Sequence, residues 1–330
     1  MKILIFSDLH LHNWQYGSTL VNGMNSRLLD GANVLNQIAE YCKTNPIDYV
    51  VFGGDLFHTH GKIDAAVLKV AWEGIRNIIK HTGEMFLLVG NHDTSDKSMA
   101  VHAMHWLESF DQCTVIHKPT HNHLFSALPY TEDITVLKDF FRDAGQICFT
   151  HQGMAGVPIG SGFLINEIMT PSMIPSTIKH LFTGHYHKHT LVSDHVTVIG
   201  STMQLTWADE GDKRGFLVYD TATGSIEQIE SIAPKFVTVD WDALTDIGPC
   251  ENNFVRVINY ARYNQEATRV DIMESGARSV EFIQNKEEHT IMLKPLTTCN
   301  GFHLPTLVAE YEQQKSVTPE CSKIGKELMQ

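Results

Sequence analysis

The first two-thirds of the chain alternate short apolar runs with longer segments whose apolar residues recur every three or four positions. The short runs predict buried strands, and the longer segments predict amphipathic helices. Alternation of this kind indicates a layered α/β domain. The predicted strands cover residues 2–6, 48–52, 85–89, 146–150, 179–183, 196–199 and 215–219.

Three helices are predicted between the early strands. The first has an apolar face that includes Leu28, Leu35 and Ile38, and it ends before Asn45-Pro46. The second covers about 64–80 and the third about 97–109.

The pattern changes after residue 234, where a small α+β unit is predicted. Its strands cover 235–239, 254–260 and 278–283, and its helix covers 264–275. The predicted domain organisation is therefore a main domain over 1–234, a second domain over 235–300 and a helical tail over 301–330.

Polar residues with metal-binding side chains follow five of the predicted strands within about three positions. They are Asp8, Asp55, Asn91, His151 and His185. In open α/β sheets the carboxyl ends of the strands form the functional edge. We therefore expect these side chains to lie at one rim of the domain.

The donor types at this rim indicate a two-metal site. In Asp8-Leu9-His10, continued extended geometry would direct both polar side chains to the same side. Alone, Asp-x-His and Gly-Asp are common turns and His-x-His is often two surface histidines, whereas Gly-Asn-His-Asp is less easily explained as a turn. All of the blocks in this order favour metal binding. Imidazole, carboxylate and amide oxygen suit Mn, Fe or Zn, and the rim has no thiolate. One carboxylate can bridge two ions, which together activate water against a phosphoester.

The blocks resemble the calcineurin-like metallophosphoesterases. The matching motifs are Asp8-x-His10, Gly54-Asp55, Gly90-Asn91-His92-Asp93, a lone His151 and Gly184-His185-x-His187. The resemblance implies a layered β-sandwich flanked by helices, with two divalent ions, Mn²⁺ expected and Fe, Zn or Mg as alternatives. It implies that one ion is held by Asp8, His10 and His187. It implies that the other is held by Asn91, His151 and His185, with Asp55 bridging and His92 as a catalytic residue.

The step after Asp55 separates branches of this family. Protein phosphatases carry an Asp three positions after the bridging residue, whereas this chain has His58. The string Asp55-Leu56-Phe57-His58 is similar to the SbcD-type DNA nucleases, which include the recombination endonuclease subunits of T-even-type phages. The resemblance makes His58 a second catalytic residue, and a solvated loop histidine is the alternative.

Further similarity to that branch extends along the chain. The segment 200–216 resembles the part that closes the nuclease domain, and 235–283 resembles its capping domain. The tail over 301–330 corresponds by position to the segment that binds a coiled-coil ABC ATPase of SbcC type. The resemblance therefore implies DNA as substrate, an ATPase partner, and a homodimer formed through the helices at 64–80 and 97–109.

Charge and cysteine content limit the other possibilities. The net charge of −13 argues against a free-standing, non-specific nucleic-acid binder, unless bound cations or a partner supply positive charge. The six cysteines are scattered without a Cys-x-x-Cys pair, which favours a reducing cytoplasm over a disulfide framework. No apolar run approaches the roughly 20 residues of a membrane span. The first apolar run is also too short for a signal peptide.

The predicted function is hydrolysis of DNA phosphodiester bonds, by exonuclease or endonuclease action, in double-strand-break repair or recombination. A phosphodiesterase or phosphatase acting on nucleotides or small phosphoesters is the alternative. A metal-binding scaffold without catalysis would need a degraded ligand set, and none of the ligands is missing. His117, His121 and His123 have no carboxylate near them in the sequence, and we interpret them as loop residues. The segment 14–26 has no assigned role.

Overall fold

The computed structural model describes residues 1–95, 101–159, 162–242, 248–259 and 264–283. The predicted tail over 301–330 lies outside the described residues, as does part of the third predicted helix. All of the described residues belong to one compact unit.

The described strands are numbered in chain order. They are β1 (Lys2–Phe6), β2 (Leu20–Val21), β3 (Met24–Asn25), β4 (Tyr49–Phe52), β5 (Glu84–Leu88), β6 (Cys113–Ile116), β7 (Thr120–His121), β8 (Ser126–Leu128), β9 (Ile147–Thr150), β10 (Pro158–Ile159), β11 (Phe163–Leu164), β12 (His180–Thr183), β13 (Thr190–Ser193), β14 (Val196–Val198), β15 (Gly215–Asp220), β16 (Ile226–Glu230), β17 (Phe236–Asp240), β18 (Phe254–Ile258) and β19 (Ser279–Phe282).

The described α-helices are α1 (Ser26–Thr44), α2 (Ala65–Ile79), α3 (Ile134–Asp143) and α4 (Gln265–Glu274). Short 3₁₀ helices cover His105–Ser109, Pro171–Met173, Trp207–Asp209 and Gly248–Cys250. Side chains of Asn25, Asp64 and Asp133 accept backbone N–H groups at the starts of α1, α2 and α3. These caps satisfy donors that the first helical turn leaves without partners.

Two six-stranded sheets form the main body. The first sheet has the order β16-β15-β1-β4-β5-β6, and the second has the order β13-β14-β12-β9-β8-β7. The pairs β1–β4, β4–β5 and β5–β6 are parallel, as are β8–β9, β9–β12 and β12–β14. Antiparallel strands lie at the margins of this parallel arrangement.

The alternation of side chains along the strands builds the layers. Ile3 and Ile5 of β1 pack with Phe149 and Phe182 of the second sheet, forming the core between the sheets. The intervening Leu4 faces the opposite side, where α1 and α2 cover the first sheet. The helix α3 covers the outer face of the second sheet in the same way. The fold is therefore the predicted β-sandwich flanked by helices.

A small α+β unit follows the sandwich in sequence. Its parallel sheet has the order β17-β18-β19, and Ile272 of α4 packs with Val255 and Val257 of β18. The Arg278 guanidinium donates to the Asp30 carboxylate on α1. The Tyr16 hydroxyl donates to Glu281 Oε2 at 2.7 Å, which attaches part of the segment 14–26 to this unit. The proposed boundaries at 234 and 300 stay predictions.

The prediction of a third helix over 97–109 was wrong for the described residues 101–109. Residues 105–109 form a 3₁₀ helix, and residues 101–104 are bend, isolated β-bridge and turn. The helix α3 was not predicted. Among the described residues, no helix has the length and apolar character that crossing a membrane requires. The four described cysteines are free and buried.

Candidate metal centre

The ends of five parallel strands bring the predicted ligands together. Asp8 follows β1, Asp55 follows β4, and Asn91 follows β5, all in the first sheet. His151 follows β9 and His185 follows β12 in the second sheet. Because the strands run parallel, both sheets present these residues at the same rim.

The first ligand cluster contains Asp8, His10 and His187, whose potential ligand atoms all lie within 4.8 Å of one another. The Nε2 atoms of His10 and His187 are 3.0 Å apart. The Nε2 atom of His10 is also 3.9 Å from Asp8 Oδ1. Asp8 and His10 are buried, so both side chains are largely removed from solvent.

The second ligand cluster contains Asp55, His151 and His185, again within 4.8 Å of one another. The Asn91 side chain belongs to the same group. Its Oδ1 atom lies 3.2 Å from His151 Nε2 and 2.9 Å from His185 Nδ1.

The Asp55 carboxylate lies between the two clusters. Its Oδ2 atom is 3.7 Å from His10 Nε2 in the first cluster and 3.3 Å from His151 Nε2 in the second. One oxygen of one residue therefore faces ligands of both clusters, which is the position required of a bridging ligand. All seven predicted ligands are at the rim, and their binding of ions stays a prediction.

The hydrogen-bond pattern of His151 fits a cation. Its Nδ1 atom lies 2.6 Å from the Gly53 carbonyl oxygen, which can only accept, so Nδ1 carries a proton. In the neutral ring, Nε2 then presents a lone pair toward Asn91 Oδ1 and Asp55 Oδ2, which are acceptors. Three acceptors that converge in this way need a positive charge between them, and a metal-binding imidazole is oriented by such a carbonyl.

The His10 ring presents its Nε2 atom to the first cluster, 3.0 Å from His187 Nε2. A single proton can join two imidazole nitrogens, but it leaves the Asp8 and Asp55 charges without full compensation. The donor set of imidazole, carboxylate and amide oxygen matches divalent Mn, Fe or Zn.

The pKa values show how strongly the centre departs from solvent. Burial raises the pKa of Asp8 to about 7 and lowers the pKa of His185 to about 4. Burial would also raise the pKa of Asp55, but the neighbouring His151 and His10 outweigh it and lower that pKa. The pKa of His151, which burial would lower, is raised to about 9 by Asp55. A proton and a cation therefore compete for the His151 Nε2 lone pair.

Four of the predicted ligands adopt left-handed backbone conformations. The φ angles are 51° at Asp8, 47° at His10, 60° at Asp55 and 82° at His185. Residues other than glycine rarely adopt positive φ angles, and those that do are concentrated at functional sites. The expectation of extended geometry at Asp8 and His10 was therefore wrong. The backbone turns at both residues, because β1 has ended and the loop follows residues 54–56 through hydrogen bonds such as Asp8 N–H to Gly54 O at 2.9 Å.

Asp93 anchors the loops that carry the ligands, a role that the sequence analysis missed. Its carboxylate accepts the backbone N–H groups of Asp55 (2.9 Å), Leu56 (2.9 Å), Phe57 (3.2 Å) and Gly90 (3.0 Å). The loop after β4 and the loop after β5 are thereby tied to one buried side chain. Its place at the end of the Gly90–Asp93 motif was the available signal.

The two predicted catalytic residues lie beside the first cluster. The His92 and His58 rings are stacked with centroids 5.6 Å apart, and both rings lie close to that of His10. His92 Nδ1 lies 2.7 Å from the His58 carbonyl oxygen, so Nδ1 donates and Nε2 is directed elsewhere. The Trp14 ring packs 4.3 Å from His58, and His60 stacks on His92 at 4.6 Å. His60 was not predicted as part of this group.

Arg214 organises the segment behind His187. It is buried and forms ion pairs with Asp209 at 2.7 Å and Asp212 at 3.1 Å. Its guanidinium also donates to Ser201 Oγ at 3.2 Å, and the Ser201 N–H donates to the His187 carbonyl at 2.8 Å. The predicted closing segment 200–216 therefore supports the first cluster.

An open cleft of 380 Å³ adjoins the centre, and its walls include His185, His187, Lys188 and Ile165. The Lys188 ammonium is half-exposed and pairs with Asp212 at 2.8 Å. The cleft gives a bound molecule direct access to residues of both clusters.

Two viral proteins are similar to this chain in sequence. Exonuclease subunit 1 of Enterobacteria phage T4 is 27% identical over 239 residues, which cover 69% of this chain and 67% of the phage protein. A protein of Invertebrate iridescent virus 3, named as phosphoesterase 078R, is 29% identical over 174 residues. That alignment covers 48% of this chain and 49% of the viral protein.

Among solved structures, a Vps29 single mutant from Entamoeba histolytica is similar at 12% identity and a TM-score of 0.32. The match covers 70% of this chain and 99% of that one. Pseudomonas putida nuclease MPE is similar at 13% identity and a TM-score of 0.33, covering 69% of this chain and 87% of that one.

The family comparison agrees with the motifs and the rim geometry. The calcineurin-like phosphoesterase model matches residues 1–200, which contain both ligand clusters and both predicted catalytic histidines. Members of this family are hydrolases that use divalent metal ions, and the chain belongs to the calcineurin-like phosphoesterases.

Proposed function

We propose that the chain is a two-metal nuclease that hydrolyses phosphodiester bonds in DNA. The observation that carries the proposal is the pair of ligand clusters that share Asp55, with His92 and His58 beside them. One ligand of each cluster, His187 and His185, lines an open cleft, so a phosphoester in that cleft would have access to both clusters.

The chain's own residues determine how the site would act. Two divalent ions, when bound, activate a water molecule and neutralise charge on the reacting phosphoryl group. The Asp55 carboxylate lies between the two ligand clusters. The Asp93 carboxylate holds Asp55 in place by accepting the Asp55 backbone N–H. Because His92 Nδ1 donates to the His58 carbonyl, the protonated ring offers Nε2–H to the departing sugar oxygen.

Two observations support DNA as the substrate. The phage T4 relative is named as an exonuclease subunit, and it aligns with most of this chain. His58, which separates the SbcD-type branch from protein phosphatases, lies against His92 and Trp14 rather than in solvent alone. Manganese as the metal, a role in break repair or recombination, and action as a homodimer belong to the same proposal.

The negative net charge of the chain favours a partner that contributes positive charge. A net charge of −13 disfavours binding to a polyanion, so the proposed complex includes a coiled-coil ATPase of SbcC type that supplies basic surface. The predicted attachment segment, 301–330, lies outside the described residues. Stimulation of duplex cleavage by such an ATPase with ATP is the expected result.

A second candidate is a phosphodiesterase or phosphatase for nucleotides or small phosphoesters. The cleft of 380 Å³ favours it, since small-molecule pockets occupy about 300–1,000 Å³. The relative from Invertebrate iridescent virus 3 is named only as a phosphoesterase.

The two candidates are separated by a substrate panel. The purified chain with MnCl₂ is incubated with end-labelled linear duplex DNA, single-stranded DNA, p-nitrophenyl phosphate and bis-p-nitrophenyl phosphate. The nuclease proposal predicts shortened DNA products. Hydrolysis of the small esters together with intact DNA would contradict it and would support the second candidate.

Replacing His92 tests the proposed mechanism. His92→Gln should lower the rate of DNA hydrolysis by about 10²- to 10⁴-fold, the usual contribution of a general acid, while the number of bound metal ions stays unchanged. His81→Gln, an exposed histidine beyond the end of α2, is the matched control and should retain the full rate. Full activity of His92→Gln would remove the residue from the mechanism.

A further inference from the structure

A second group of metal-ligand side chains lies outside the metal centre. His102 precedes the 3₁₀ helix His105–Ser109, which carries Glu108, and His117 follows β6 directly. The potential ligand atoms of His102, Glu108 and His117 all lie within 4.8 Å of one another. None of these residues belongs to the two clusters around Asp55.

The burial of His102 makes this group different from a chance surface cluster. Its side chain is only 4% exposed, and neither ring nitrogen has a hydrogen-bond partner among the described residues. Leaving a buried polar group without a partner costs about 1–3 kcal/mol, so such groups require a physical explanation. The His117 ring is stacked 5.3 Å away and presents a further imidazole rather than a satisfied partner.

The surroundings of His102 favour a cation. The His105 ring stacks on His102 with centroids 3.7 Å apart, and His105 Nδ1 lies 3.6 Å from Glu108 Oε1. Three imidazoles and one carboxylate therefore converge on one place. His117 was expected to have no carboxylate near it, but the fold brings Glu108 to it from nine positions earlier in the sequence.

We propose that His102, Glu108 and His117 bind one Zn²⁺ ion, in addition to the ions of the metal centre. Two imidazoles and one carboxylate are a zinc-binding set, and they leave a fourth position for water or a neighbouring side chain. Imidazole ligands favour zinc over magnesium or calcium, which prefer sites made of oxygen alone. The proposal rests on this cluster alone and not on the substrate of the metal centre.

The position of the cluster assigns the ion a structural role. The Ala103 N–H, one residue after His102, donates to the Asp93 carbonyl at 2.7 Å. Thr94 and His102 also form an isolated β-bridge. An ion that joins His102 to His117 would tie the chain that leaves the Asp93 loop to the end of β6. It would therefore hold one side of the loop that carries Asn91 and His92.

The test is the zinc content of the full chain. The protein is stripped with EDTA, loaded with excess ZnSO₄, desalted and analysed by inductively coupled plasma mass spectrometry. Wild type should retain three zinc ions per chain, whereas His117→Gln and Glu108→Gln should each retain two. Both altered side chains are exposed, so these variants should fold. His123→Gln changes an exposed histidine in the loop between β7 and β8 and should retain three ions.

Two outcomes would overturn the proposal. One is a His117→Gln chain that retains as many zinc ions as wild type, and the other is a Glu108→Gln chain that does so. The DNA assay gives a separate answer, because His117→Gln loaded with Mn²⁺ retains the metal centre. Absence of DNA cleavage by every variant would contradict the proposed nuclease while leaving the zinc comparison intact.

Discussion

Asp93→Asn is expected to destabilise the protein strongly, because one buried carboxylate holds two loops. Asp93 is 1% exposed, and its Oδ1 atom accepts the N–H groups of Leu56 and Phe57. Its Oδ2 atom accepts those of Asp55 and Gly90. Burial and the neighbouring Asp55 raise the pKa of Asp93 to about 7. Even so, four N–H donors offer no acceptor for a carboxylic-acid proton and favour the ionised form.

The size of the effect follows from the hydrogen bonds that asparagine cannot make. Its amide oxygen can serve one pair of N–H groups, while its NH₂ group faces the other pair as a donor. Two hydrogen bonds to a charged group are lost, at about 1.5–3 kcal/mol each, which amounts to about 3–6 kcal/mol. This is a large part of the 5–15 kcal/mol that stabilises a typical domain.

Urea unfolding followed by circular dichroism measures the change in the free energy of unfolding. The matched control is Asp133→Asn, which alters an exposed carboxylate that accepts the Thr135 N–H at the start of α3. Asparagine and aspartate cap helices about equally well, so the control should change stability by less than about 0.5 kcal/mol. A loss below about 1 kcal/mol for Asp93→Asn would refute the assigned anchoring role.

Three further changes test other parts of the structure. Gly90→Ala places a Cβ atom 2.1 Å from Asp55 Oδ1, so we expect loss of bound metal by elemental analysis; unchanged metal content would contradict the bridging position. Burial lowers the pKa of His180 to about 4, so the unfolded chain binds more protons between pH 4 and 6.5 and stability falls as the pH is lowered through that window. In urea unfolding, His180→Gln should lose less unfolding free energy than wild type as the pH is lowered from 6.5 to 4. An equal loss in the variant would show that His180 does not cause this pH dependence. Arg278→Gln removes the ion-pair partner of the buried Asp30 and leaves only the more weakly interacting Arg27 beside it. We expect a loss of about 1–3 kcal/mol of unfolding free energy, and no loss would make the contact dispensable.

Most internal strands of both sheets were predicted from the sequence, but β8, which is buried inside the second sheet, was missed. Strands such as β1 and β4 are recognisable as apolar runs because parallel strands are buried on both faces. The short strands β10 and β13 were missed, since they are partly exposed and their pairing depends on a partner strand rather than on local sequence.

The helix α3 carried signals that were overlooked. Asp133 caps it, and Leu137, Phe140 and Phe141 form its buried face. The third predicted helix is the reverse case, because an α-helix was predicted where the described residues do not form one. Apolar residues such as Met104 and Leu107 are buried as expected, but they lie in a turn and a 3₁₀ helix rather than in a continuous α-helix.

The identity of the rim residues was predictable, whereas their backbone geometry was not. The donors follow strand ends, and strand ends can be read from apolar runs. The left-handed φ angles at Asp8 and His10 result from pairing with the loop after β4, which is a tertiary contact. The same reason explains why the cluster of His102, Glu108 and His117 had no signal, since its members come from separate segments that only the fold brings together.

The central claim is that the chain cleaves DNA with two ions that share Asp55. The most direct measurement is the rate of DNA hydrolysis during titration of the metal-free chain with Mn²⁺, with bound manganese counted at each step. The account predicts negligible cleavage until two ions per chain are bound at the centre, and no cleavage at any ion content in Asp55→Asn. Full cleavage at one ion per chain, or undiminished cleavage by Asp55→Asn, would contradict it.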